Sequence, residues 1–225
     1  MTAAERLLRY VQFDTQSNEF SETCPSTDKQ KIFARSLVEE MQAMGITDAY
    51  MDGDGYVYGT VPGDPGKPVI GLIAHMDTAP DASGANIQAR TVFYDGGDIL
   101  LHEGQHIVMR ESDFPSLTRN RGKHLIVTDG TTLLGADDKA GIAEILTAAE
   151  ILMASSRPHA TLRIGFTPDE EIGEGASLFD VEGFGAAYAY TVDGEDVGEI
   201  SYENFNAAAA VVTVHGFSVH PGSAK

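Results

Sequence analysis

The sequence has little cysteine, little positive charge and no long apolar run, and each shortage excludes a class of function. Its 225 residues include one cysteine, so no disulfide can form within the chain, which favours the reducing cytoplasm. With 15 Lys and Arg against 34 Asp and Glu, the formal net charge is -19. This charge disfavours nucleic acids and anionic membranes as partners, because phosphate binding needs clustered cations. No segment approaches a membrane span or the apolar core of a signal peptide.

What the sequence does contain is an alternation of helix and strand patterns. Helical patterns cover about 27–44 and the residues after Asp138. A continuous apolar run, typical of a strand buried on both faces, covers 69–74, and further strands are predicted at 161–166 and 187–192. The alternation predicts an α/β domain with a mostly parallel twisted sheet and flanking helices. The segment 80–129, rich in Gly, Asp and His, indicates an irregular β insertion.

The pattern changes after Asn204, where a predicted strand at 207–214 opens a different segment. We therefore expect two domains. The first covers 1–204 and carries the ligand-type residues described below. The second begins at 205 and continues to 225.

Polar side chains with metal-binding chemistry follow three of the predicted buried strands. They are His75 and Asp77 after the first strand, Glu170 and Glu171 after the second, and Asp193 after the third. Ligands bind at the carboxyl ends of strands in open α/β sheets, and acids buried there need a partner. Asp137 stands at the start of the long helix, where the helix dipole favours a carboxylate.

The residue types suit zinc, since they offer imidazole and carboxylate without thiolate. One ion could take His75, Asp137 and Asp193. A second ion could take Asp137 and Glu171 and would lack a third protein ligand, so that Asp137 would bridge two ions as in two-metal hydrolases. The alternative is that these acids only cap helices and turns, which is the usual role of one such acid but not of the whole set.

Five stretches resemble the signatures of the M20 metallopeptidase family. They are AHMDT at 74–78, GADDKAG at 135–141, PDEEIG at 168–173, DG at 193–194 and GFSVHPG at 216–222. The second stretch is especially similar to the tripeptide-cleaving aminopeptidases of that family. The resemblance extends from the N-terminus to the last residue.

The resemblance implies a role for each matched residue. His75, Asp137, Glu171 and Asp193 match the zinc ligands of a site for two ions. Glu170 matches the general base, and Asp77 matches the acid that orients the metal-ligating His75. His220 matches a histidine of the lid domain that contacts the substrate. The peptide bond between Asp137 and Asp138 is expected to be cis.

The resemblance also implies a fold and an activity. Residues 1–204 would form a zinc-peptidase-like catalytic domain, and 205–225 would begin an α+β lid or dimerisation domain that can mediate a homodimer. The substrate would be a short peptide with a free N-terminus, chiefly a tripeptide, cleaved after its first residue. The family takes its last zinc-ligand histidine from beyond position 225. We therefore expect the chain to be an N-terminal fragment that is inactive alone.

Two other functions remain open from the sequence. A dipeptidase, a carboxypeptidase or an N-acyl amino-acid deacylase of the same family would use the same metals. The isolated chain could also be a metal-binding module without catalysis.

One further motif, HEGQH at 102–106, matches the zinc-binding pattern H-E-x-x-H. That pattern binds metal only on a helix, where both histidines share one face. Gly104 in its centre and the strand pattern that follows predict an exposed loop instead.

Overall fold

The computed structural model describes residues 1–194, 197–203, 206–208 and 210–217. Its internal contacts divide the chain into two units, Met1–Asp193 and Gly194–Lys225. The helices of the first unit are α1 (Ala3–Tyr10), α2 (Asp28–Met44), α3 (Ala136–Met153) and α4 (Val181–Phe184). Its strands are β1 (Tyr50–Met51), β2 (Val57–Val61), β3 (Ile70–His75), β4 (Arg90–Tyr94), β5 (Ile99–His102), β6 (Ile107–Met109), β7 (Lys123–Val127), β8 (Leu162–Thr167) and β9 (Tyr188–Thr191).

A five-stranded sheet forms the centre of the first unit, in the order β1-β2-β8-β3-β9. Strand β3 pairs in parallel with both β8 and β9, while β2 pairs antiparallel with β8 and β1. The three buried strands predicted from the sequence are therefore the three parallel neighbours. The α/β fold class with a mostly parallel core and flanking helices is confirmed.

The inner strands of the sheet are covered on both faces, as the alternation of side chains along β2 shows. Val57 and Val61 join the main apolar core, whereas Tyr58 joins a second cluster with Tyr56 and Phe184. Helices α2 and α3 supply about half of the residues of the main core, because their apolar residues recur every three or four positions. Helix α1 packs on α3 and begins with a capping box of Thr2 and Glu5.

The segment between β3 and α3 forms two small antiparallel sheets, β4 with β7 and β5 with β6. They share a cluster of Tyr94, Ile99 and Leu117, so the predicted β insertion is confirmed. The H-E-x-x-H motif falls at the end of β5 and in the turn before β6. Its histidines therefore do not lie on a helix, and this agrees with the prediction made from the central Gly104.

Strand β9 is an edge of the central sheet, and Tyr188 and Tyr190 on it are each 47% exposed. In the second unit, the described residues 197–203, 206–208 and 210–217 contain no helix or strand. The strand predicted at 207–214 is therefore not found in its described positions. The domain boundary at 204 stays a prediction. Across the described ranges, no helix combines the length and apolar character needed to cross a membrane.

Close packing around the central strand can be tested at Gly71 of β3. A Cβ atom there would lie 2.5 Å from Phe184 Cε1 and 2.7 Å from Ala189 Cβ. We expect Gly71→Ala to lower the free energy of unfolding by about 1–3 kcal/mol, because a rigid ring and a paired strand would have to move. Gly53→Ala is the control, since its Cβ would meet nothing within 4 Å. Urea unfolding measures both, and equal stabilities for the two variants would contradict the packing described here.

Candidate metal centre

The pairing of β3, β8 and β9 brings three chain segments to one edge of the sheet. The register places His75 beside Thr167 and Ile73 beside Thr191. Because the strands are parallel, the residues that follow them leave the sheet on the same side. Asp77, the Glu170–Ile172 3-10 helix and Asp193 therefore converge, as the sequence predicts.

The imidazole of His75 lies at the centre of this convergence. Its Nε2 atom is 2.8 Å from an oxygen of Asp137, 3.7 Å from one of Asp193 and 3.9 Å from one of Glu170. His75 is buried, with 2% of its side chain exposed, whereas Asp137 is 70% exposed. The acids thus surround a buried imidazole and keep access to solvent.

Two groups of three residues could each hold a metal ion. One group is His75, Asp137 and Glu171, and the other is His75, Glu170 and Asp193, with ligand atoms within 4.8 Å of one another in each. All four predicted metal ligands are therefore brought together, along with Glu170. These groups distribute the acids differently from the sequence prediction, which placed His75, Asp137 and Asp193 on one ion. The assignment of each acid to an ion stays a prediction.

The electrostatics of the cluster fit a cation. Burial and the neighbouring acids raise the pKa values of Glu170, Glu171 and Asp193. Burial alone would lower the pKa of His75. The hydrogen bond and charge of Asp77, with the charge of Asp138, instead raise it to about 10. Crowded carboxylates disfavour one another's ionisation, so positive charge among them stabilises the cluster. The donors are imidazole and carboxylate groups, which suit zinc.

Asp77 connects the imidazole to the two glutamates. It is fully buried, and its carboxylate accepts hydrogen bonds from the backbone N–H groups of Glu170, at 3.0 Å, and Glu171, at 3.2 Å. The Nδ1 atom of His75 lies 3.1 Å from the backbone oxygen and 3.3 Å from a carboxylate oxygen of Asp77. Asp77 therefore contacts both the imidazole, as the resemblance implies, and the turn that carries Glu170 and Glu171.

Asp138, beside Asp137 at the start of the long helix, received no role of its own from the sequence, but the structure gives it a contact with His75. Its carboxylate is 3% exposed and accepts hydrogen bonds from the backbone N–H groups of His75, at 3.2 Å, and Gly141, at 3.1 Å. Burial and the charge of Asp193 raise the pKa of Asp138 to about 8. The peptide bond between Asp137 and Asp138 is cis, as predicted. Two consecutive aspartates in the sequence were the one indication of this division. Asp137 faces solvent, and Asp138 binds the backbone at His75.

Two other sequence observations have separate outcomes. His220, predicted to contact the substrate, lies outside the described residues. Burial raises the pKa of the Cys24 thiol, the single cysteine noted in the sequence, to about 11, which disfavours the thiolate that a nucleophile needs.

The chain was compared with known proteins. No family model matches it. A Peptidase T of Desulfitobacterium hafniense (strain Y51) is 59% identical over an alignment of 225 positions, which covers 98% of this chain and 55% of that protein. The aminopeptidase PepT of Bacillus cereus ATCC 10987 has a TM-score of 0.61 and 25% identity, over 86% of this chain and 43% of that one. A tripeptidase of Staphylococcus aureus subsp. aureus Mu50 has a TM-score of 0.58 and 26% identity over the same shares.

The chain thus spans about half the length of the curated relatives it matches, 55% in the example above. The resemblance to tripeptide-cleaving aminopeptidases of the M20 family, predicted from the motifs, is confirmed by these matches.

The double contact of Asp77 can be tested with Asp77→Asn. An amide in place of the carboxylate would turn an N–H₂ group toward Glu170 N–H or Glu171 N–H, so one buried donor would lose its acceptor. We expect the free energy of unfolding to fall by about 1–3 kcal/mol. Asp81→Asn removes the same charge from an exposed position and should be close to neutral. Urea unfolding of the two variants with equal midpoints would show that Asp77 does not hold the turn.

Proposed function

We propose that the chain forms the metal-binding part of a two-zinc aminopeptidase that removes the N-terminal residue from short peptides, chiefly tripeptides. The observation that carries this proposal is the gathering of three acids within 3.9 Å of the buried His75 imidazole. The names of the similar proteins, Peptidase T and a tripeptidase, support the reaction and the substrate.

The residues proposed to hold the zinc ions are His75, Asp137, Glu171 and Asp193. Asp137 is the proposed bridge, because its carboxylate is the one closest to His75 and faces solvent. When bound, zinc supplies a Lewis acid that polarises the scissile carbonyl and stabilises its developing negative charge.

Glu170 is the proposed general base. Its carboxylate is 53% exposed and stands 3.9 Å from His75, so it can reach both the site and a water molecule. Burial and neighbouring charges raise its pKa, which favours proton transfer closer to neutral pH. Glu170 takes a proton from the attacking water and gives it to the amine that leaves.

Asp77 allows the adjacent glutamates to do different work. It fixes the backbone N–H groups of both Glu170 and Glu171, so the two side chains leave the turn in set directions. Glu171 belongs to the group that includes Asp137, and Glu170 to the group that includes Asp193. Both groups could hold metal, so the assignment of Glu171 to metal and of Glu170 to the proton rests on the family resemblance.

The remaining parts of the proposal concern partners and location. An acidic protein, with a formal net charge of -19, attracts the free amino group of a peptide substrate. We extend the proposal to a substrate contact by His220, a homodimer through the lid domain and a cytoplasmic location. These three rest on the family resemblance and, for location, on the single cysteine.

Substrate choice separates this function from other hydrolases of the same family. The complete gene product should release leucine from Leu-Gly-Gly and leave N-acetyl amino acids intact. Hydrolysis of the acylated substrate alone would replace the aminopeptidase with a deacylase.

The role of Glu170 is tested with Glu170→Gln. Removing the base should lower kcat by about 10²- to 10⁴-fold while zinc content stays at the wild-type level. Glu182→Gln removes the same charge from an exposed position of α4 and should retain the activity. Tripeptide hydrolysis by the complete gene product and metal analysis provide the two measurements. Undiminished hydrolysis by Glu170→Gln would remove the general-base assignment.

The bridging role of Asp137 is tested by metal content. The purified chain carrying Asp137→Ala should lose most of its zinc, because the proposed sites share this carboxylate. Asp81→Ala, at an exposed position, should bind zinc as the wild type does. Mass spectrometry of metal after desalting measures zinc per chain. Equal zinc in Asp137→Ala and wild type would count against a shared ligand.

A further inference from the structure

The turn that carries Glu170 and Glu171 is also held by residues from the start of α2. Asp169, directly before Glu170, is 1% exposed. Its carboxylate accepts hydrogen bonds from Ser26 N at 2.6 Å, Ser26 Oγ at 2.5 Å and Gln30 Nε2 at 2.6 Å. The backbone N–H of Asp169 donates to Gln30 Oε1 at 3.2 Å. Gln30 therefore contacts the backbone and the side chain of Asp169 together.

All of these groups are buried, and the donors are neutral. Gln30 is 1% exposed and Ser26 is 7% exposed. A buried carboxylate without its hydrogen-bond donors is costly, so Asp169 has a strong preference for this one arrangement. The hydrogen bonds of Ser26 and Gln30 with Asp169 thus link the N-terminal part of the chain to the turn after β8.

Asp169 sets the direction in which the chain leaves β8. Its backbone is in the left-handed region, with φ 55 and ψ 28, which few residues other than glycine adopt. Asp tolerates this region better than most residues. The 3-10 helix Glu170–Ile172 begins at the next residue, so the conformation of Asp169 decides where both glutamates point.

Three consecutive backbone N–H groups are tied to side-chain oxygens in this way. Asp169 N–H donates to Gln30, and the N–H groups of Glu170 and Glu171 donate to Asp77. The turn is therefore held from α2 at one residue and from the end of β3 at the next two. Neither Gln30 nor Ser26 has metal-binding or acid–base chemistry that would have marked it in the sequence.

We propose that Gln30 and Ser26 are positioning residues, which act through Asp169 to fix Glu170 and Glu171 for catalysis. This inference rests on the proposed function, because it assigns those two glutamates a catalytic and a metal-binding role. It makes catalysis depend on Gln30 of α2, a helix that otherwise packs the core, and on Ser26 just before that helix.

The first test measures the turn without using activity. Gln30→Met keeps the bulk of the side chain and removes its two hydrogen bonds with Asp169, together with those to the hydroxyl groups of Ser26 and Thr27. Gln42→Met is the matched control on the same helix, where the side-chain amide donates to Ala49 O at 2.9 Å. Amide hydrogen exchange of residues 169–171 should rise by about 10-fold or more in Gln30→Met and stay unchanged in Gln42→Met. Unchanged exchange in Gln30→Met would overturn the proposal.

The second test measures catalysis by the complete gene product at saturating zinc. In Gln30→Met, kcat for a tripeptide should fall by about 10- to 100-fold with KM within about threefold, since outer contacts of a metal site have effects of this size. Gln42→Met should keep kcat. Equal kcat in the two variants would overturn the positioning role even if exchange rises.

Ser26→Ala provides a milder variant should Gln30→Met fail to fold. It removes the hydroxyl that donates to Asp169 and accepts from Asn18 N–H and Gln30, but it leaves the Ser26 N–H contact and both bonds between Gln30 and Asp169. It should therefore produce a smaller change in the same direction, and the absence of any change would also count against the proposal. If the wild type shows no hydrolysis at all, the proposed function fails. Amide exchange then still decides whether Gln30 and Ser26 hold the turn.

Discussion

The site depends on one buried charge, the carboxylate of Asp77. It contacts the imidazole of His75 at the end of β3 and accepts hydrogen bonds from Glu170 and Glu171 after β8. A fully buried carboxylate is tolerated only where donors surround it. The donors around Asp77 belong to His75, Glu170 and Glu171, which are residues of the site. Satisfying this one carboxylate therefore also brings the site together. Thr167 is the register partner of His75 at the end of β8, so the two strand ends stay aligned.

Much of this arrangement could be predicted from sequence, because local patterns determine it. Local sequence patterns predicted the three parallel strands, and the polar residues after them predicted the meeting of His75, Glu171 and Asp193 at one edge. Gly104 correctly predicted that the H-E-x-x-H motif would not form a helix. These features depend on hydrophobic periodicity, strand length and glycine positions, which the sequence shows without knowledge of tertiary contacts.

The contacts that hold the site were not predictable in the same way. Asp138, Asp169 and Gln30 act through hydrogen bonds to residues that are distant in sequence, 139 positions away for Gln30 and Asp169. No period or motif marks such a pair before the fold is known. The strand expected at 207–214 shows the opposite failure, since a β-branched apolar run predicted a strand that its described residues do not form. Strand propensity depends on a neighbouring surface, which the sequence pattern does not reveal.

The three strands that carry the proposed ligands are not braced equally. In the described sheet, β3 and β8 each have a neighbour on both sides, whereas β9 pairs only with β3 and leaves two tyrosines half in solvent. Strands at a sheet edge open more readily than strands inside it. Asp193 lies two residues after the end of β9. Fraying of β9 would therefore move the Asp193 carboxylate away from His75, while the acids that follow β3 and β8 stayed in place. A cation bound by Asp193 and the interior donors would oppose this fraying, so metal binding would also stabilise the edge strand.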